Sequence, residues 1–105
     1  MEKQEWQNLY NVLDKILDDF QSAYFDSKNG KNEKIRSAGK KNVDRAIRLA
    51  DYHITNNYNA YELLTGKNGS DISRAFLYDE FKQPHYFGRD LASLLDKIKI
   101  EMGEL

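Results

Sequence analysis

The chain has 105 residues, 40% of them hydrophobic and 31% charged, with a formal net charge of −1. That length suits one domain with one core, and the apolar fraction is too high for a disordered tail. With no cysteine, disulfide scaffolds, thiolate catalysis and thiolate metal sites are excluded.

The apolar spacing is helical almost throughout. Trp6, Leu9, Leu13, Ile16, Leu17, Phe20, Ala23 and Tyr24 recur at three- and four-residue steps, predicting a helix over roughly 3–25 with one buried face. The stretch DSKNGKNEK then reads as a surface loop, because Asp, Ser, Asn and Gly favour turns. A second, long helix starts near Asn32 or Glu33, with Ile35, Gly39, Val43, Ala46, Ile47, Ala50 and Ile54 as its buried stripe. Tyr61 and Leu64 continue that phase to a glycine cap at Gly66, while Asn56, Asn57 and Asn59 favour a bend or break between. Asn68-Gly69-Ser70 reads as a turn, followed by a short helix over 71–81 whose apolar residues wrap more than one face. Pro84 suits the first turn of a last helix, where Phe87, Leu91, Leu94, Leu95, Ile98, Met102 and Leu105 form a regular stripe. No strand pattern, repeat or linker intervenes. The expected fold is a single all-α domain, 1–105, a small bundle of about four helices with a long second helix.

No apolar run approaches the roughly 20 residues of a membrane span, and MEKQEWQNLY lacks the features of a signal peptide. The expected location is therefore the cytoplasm, with no membrane contact. Abundant Lys, Asn, Ile and Tyr associate with AT-rich coding of a bacterial or phage kind.

Charge is unevenly placed. Residues 1–27 carry a net −4 and residues 28–48 a net +6. The basic block, with Lys34, Arg36, Lys40, Lys41, Arg45 and Arg48, can bind a polyanion or lie neutralised against the acidic first helix. Neutralisation is the preferred reading.

Chemistry-bearing residues are few. His53 and His85 are the only histidines, and neither has metal-ligand spacing, so no metal or other cofactor is expected. In RLADYH, Arg48 and His53 are separated by four residues. This resembles the arginine–histidine motif of HEPN ribonucleases, an all-helical and often dimeric family. The resemblance covers six residues and implies that the arginine stabilises phosphate charge while the histidine moves the 2′-hydroxyl proton. The family places a polar residue after the arginine, where this chain has Leu49. Residues five apart also lie about 140° apart around a helix, which puts His53 at the edge of the buried stripe and Arg48 toward solvent.

Of the tyrosines that follow the basic block, Tyr61 and Tyr58 read as core and Tyr52 as exposed. Phe76, Tyr78, Phe81 and Tyr86 belong to an aromatic excess that serves either the core or a partner-binding surface. The functional expectation is a non-catalytic interaction module that binds a protein partner, such as an inhibitor, an immunity or antitoxin-type protein or an accessory subunit, and forms a homodimer through its C-terminal half, between Phe76 and Phe87 with the closing stripe from Leu91 to Leu105. The alternative is a nucleic-acid-binding or HEPN-like RNA-cleaving protein that uses the basic block, with Arg48 and His53 as its catalytic pair.

Overall fold

The computed structural model describes residues 1–66 and 84–103, with the side chains of Pro84 and His85 outside the description. Among the described residues the fold is all-α, with helices α1 (Lys3–Asn29), α2 (Glu33–Thr55), α3 (Tyr58–Thr65) and α4 (Pro84–Glu101). The helix expected over 71–81, with Phe76, Tyr78 and Phe81, lies outside the described residues.

Helix α1 runs four residues beyond its expected end. The turn-favouring side chains there support the helix instead of breaking it. The Ser27 hydroxyl donates to the Tyr24 carbonyl at 2.7 Å, and Gly30 N–H donates to the Asp26 carbonyl at 2.9 Å. Lys28 lies over the Tyr24 ring, with Nζ 5.7 Å from its centroid. The expected nine-residue loop therefore shrinks to residues 30–32, and α2 starts at once behind Asn32, whose side chain accepts from Ile35 N–H.

So short a turn folds α2 back along α1, and the glycine on its inner face lets the backbones approach closely. A methyl group on Gly39 would stand only 2.6 Å from Ser27 N and 2.8 Å from the Ala23 carbonyl oxygen. That contact sets the register of the hairpin: residue 39 lies level with residues 23–27, and later residues of α2 lie level with earlier residues of α1.

The seven residues of the first predicted stripe up to Ala23 are all buried, as are Gly39, Val43, Ala46, Ile47, Ala50 and Ile54 of the second. Ile35 is exposed, because it sits in the first turn of α2 with its Cγ2 over Gly30 rather than over the core. The break expected among the asparagines falls at Asn56 and Asn57, and the Asn57 side chain caps α3 by accepting from Ala60 N–H. Tyr61 remains in the core. Tyr58, expected to pack there, is 65% exposed because it is the first residue of the new helix and projects before the next turn reaches the core. Gly66 ends α3 in the left-handed conformation, φ 71°, as its position after the apolar stripe predicts.

Helix α4 starts at Pro84 and packs against α1. Phe87 meets Phe20 edge-to-face at 4.8 Å, and Lys99 lies over the Tyr10 ring at 5.5 Å. Thus α1 is the central element, flanked by α2 and α4, and α3 joins the two flanks. Lys97 Nζ donates to the Leu63 carbonyl at the C-terminal end of α3, which ties α3 to α4. Phe87, Leu91, Leu94, Leu95, Ile98 and Met102 are all buried, as their spacing predicts, and Leu105, the last residue of that stripe, lies outside the described residues.

Candidate functional site

Among the described residues, α1 and α2 present a two-helix face on which side chains of both helices stand exposed. A groove runs down it. Toward the hairpin turn its walls include Asp19 and Asp26 from α1 and Asn42 and Arg45 from α2, over a floor of Ile16, Ala23 and Ala46. Farther along, Val12 and Lys15 face Leu49 and His53. Val12 is 38% and Leu49 44% exposed, although both are large and apolar. They stand one position away from the buried stripes, next to Leu13 and Ala50, so stripe analysis passes over them. The signal that could have found them is an apolar residue just off the core stripe on each of two adjacent helices.

The basic block divides between two settings. Lys34, Lys41, Arg45 and Arg48 are spaced at seven, four and three residues, so they form one exposed row along α2 that Tyr52 extends, with Arg45 at its inner edge, where it also lines the groove. Lys40 is exposed away from that row. Arg36 is half-buried and serves the turn: Nη1 donates to the Gly30 carbonyl at 2.9 Å, and Nη2 pairs with Glu33 at 3.2 Å. The ion pairs formed between described residues each lie within one helix, namely Lys15–Asp19, Arg36–Glu33, Arg48–Asp44 and Arg89–Asp90. Between α1 and α2, Asp19 and Asp26 instead face Arg45 along the groove.

Hydrogen bonds from Arg36 and then Ser37, together with the Arg36 charge, hold the Glu33 carboxyl below the usual carboxylate range. A carboxyl depressed in the folded state stabilises the fold above its unfolded pKa and loses that contribution as pH falls through the folded value. An NMR pH titration should therefore place the Glu33 midpoint below that of a model glutamate. Arg36→Ala should move the midpoint upward.

Arg48 and His53 occupy different surroundings. Arg48 Nε donates to Asp44 Oδ2 at 2.8 Å on the outer side of α2, where its side chain is 63% exposed. His53 is half-buried in the groove with Val12 and Leu49, and its ring meets Tyr52 edge-on at 5.3 Å. One side chain belongs to the basic row and the other to the groove, as the angle between them predicts. The ring of His85 is outside the description. Among the described residues no group of three His, Asp or Glu side chains could hold a metal ion, and no helix is long and apolar enough to cross a membrane.

Tyr86 is exposed at the start of α4, with the Arg89 guanidinium 5.0 Å from its ring centroid. Its neighbour Phe87 is fully buried, so the aromatic excess read from the sequence splits at this point between surface and core.

No protein-family model matches the chain, and neither the curated proteins nor the solved structures compared with it include a similar one.

Proposed function

We propose that this chain is a non-catalytic helical interaction module whose partner is a protein, with the α1–α2 groove as its principal contact surface. An inhibitor, an immunity or antitoxin-type protein and an accessory subunit all work in this way, by presenting a shaped surface and no reacting group. The observation that carries the reading is the groove itself: two exposed apolar side chains, Val12 and Leu49, beside a floor of Ile16, Ala23 and Ala46 and between charged walls. An apolar centre inside a polar rim is the usual anatomy of a protein contact. The exposed Tyr86, with Arg89 over its ring, extends the proposal to the aromatic segment that also contains Phe76, Tyr78 and Phe81.

A photo-crosslinking residue at position 49, introduced into the chain in its own cells, tests this. A discrete protein adduct is expected from position 49, reduced when Val12→Glu is added, and absent from an outward position such as Lys28. No adduct at position 49 would overturn the reading.

A second reading rests on the row Lys34, Lys41, Arg45 and Arg48 with the exposed Tyr52, since bases line up along a phosphate backbone and a tyrosine can stack on an unpaired nucleotide. Binding through phosphate contacts weakens steeply as salt rises, because bound counterions are released. The interaction module should show only weak association with generic RNA or DNA at physiological salt and no RNA cleavage. Tight, salt-sensitive binding lost with Lys41→Ala and Arg45→Ala would favour the second reading. RNA cleavage abolished by both Arg48→Ala and His53→Ala would establish the catalytic form of it.

A further inference from the structure

We infer that the occupant of the α1–α2 groove is a second copy of this chain, seated about a twofold axis that runs parallel to the two helices. The inference rests on the reading of the groove as a protein-binding surface, and it names the partner.

The register of the hairpin supplies the argument. Asp19 and Arg45 line the same stretch of groove, and Val12, Leu49 and His53 line the next. A twofold axis along the groove turns the face over sideways without changing any residue's height. It therefore lays α1 of one copy over α2 of the other, level with level. Asp19 then meets Arg45 of the second copy, and by symmetry Arg45 meets Asp19. In the adjoining layer Leu49 comes over the stretch of α1 around Lys15, within about a turn of Val12, twice, so the exposed apolar side chains of the face gather at the contact.

The other twofold arrangement has its axis across the helices, and electrostatics disfavours it. It would lay α1 over α1 and α2 over α2, bringing Asp19 and Asp26 toward their own copies and the basic row toward itself. Opposed like charges at a contact cost enough to exclude wrong pairings. The charge pattern thus selects one axis. An isologous contact of this kind also closes on itself, leaving no open surface on which further copies could add. Asp19 is available for the exchange, because its pair with Lys15 joins two largely exposed side chains and such pairs contribute little.

The test is sedimentation equilibrium on the full chain, using Asp19→Arg, Arg45→Asp and an equimolar mixture of the two. The wild type should sediment as a dimer of 12.3 kDa chains. Each variant alone opposes like charges at both contacts and should weaken association by roughly tenfold or more. The mixture should recover the dimer, because both of its contacts then oppose unlike charges. Recovery also shows that each variant folds. A mixture of Asp18→Arg with Arg45→Asp has the same net charges but leaves two carboxylates opposed at one contact, so it should recover less.

Several results would overturn the assignment. One is a wild-type monomer across the micromolar range. Another is a dimer indifferent to the charge changes, or one dissolved instead by Phe76→Asp and Phe81→Asp. A monomer together with a position-49 adduct of some other mass would keep the groove as a protein-binding surface while rejecting the second copy as its occupant.

Discussion

Replacing Phe87 by alanine should lower stability by about 3–5 kcal/mol, the range for deleting a buried aromatic ring. The side chain is fully buried, and its edge-to-face contact with Phe20 at 4.8 Å joins α4 to the central helix. Such aromatic pairs add about 0.5–1.5 kcal/mol beyond the area they bury. A domain of this size has a total stability of only about 5–15 kcal/mol, so the loss should bring the variant close to unfolding. Urea denaturation measures it directly as a lowered midpoint. Tyr86→Ala, one residue earlier on the exposed side, should remain within roughly 0.5 kcal/mol of wild type. Equal losses at the two positions would contradict the orientation of α4.

The second large effect is expected at Gly39. A side chain there meets backbone atoms of α1, Ser27 N at 2.6 Å, the Ala23 oxygen at 2.8 Å and Ser27 Cα at 3.0 Å, and none of these can move aside by rotating a side chain. Alanine gains about 1 kcal/mol of helix propensity over glycine. Overpacking costs about 1–3 kcal/mol, so Gly39→Ala should still come out destabilising and Gly39→Leu should stand at the top of that range or above it. The expected fall in melting temperature for Gly39→Leu is on the order of 10 °C or more. Gly88→Ala provides the comparison: the nearest atom to its new methyl group is a Phe20 ring carbon at 3.0 Å, a side chain that can shift slightly. Its effect should be much the smaller. If Gly39→Leu were tolerated as well as Gly88→Ala, the close approach of α1 and α2 would be wrong.

The helices were legible because their burial is one-sided. Leu13, Ala50, Ile54, Leu91 and Ile98 lie on regular stripes, and each is fully buried. The break before α3 and the glycine at its end were legible from local backbone preference, since several asparagines weaken a helix and Gly66 tolerates a positive φ. The end of α1 was not. Ser27 favours turns in isolation, but its hydrogen bond to the preceding turn and its contact with Gly39 hold it in the helix. Ile35 and Tyr58 were misplaced for a related reason. Periodicity assigns a face to each, whereas their positions in the first turn of α2 and α3 decide what lies next to them.

The candidate site was legible only in its charges. The basic block stood out, and the angle between Arg48 and His53 correctly assigned one to the outside and the other to the edge of the core. The groove depends on the register between two helices, and no single-helix pattern contains that. Val12 looks like an isolated exposed residue until Leu49 is placed opposite, and Asp19 looks like a partner for Lys15 alone until Arg45 appears beside the same groove.

The central claim is that this molecule acts through its α1–α2 face. A dilution series followed by backbone amide NMR tests that most directly, because it reports every face at once. Concentration-dependent shifts are expected at Val12, Asp19, Asn42, Arg45 and Leu49, with Lys34 and Lys41 and the distal face of α4 nearly unchanged. Shifts confined to Tyr86 and Arg89, or a spectrum that does not change with concentration while RNA moves the Lys34–Arg48 row, would contradict it.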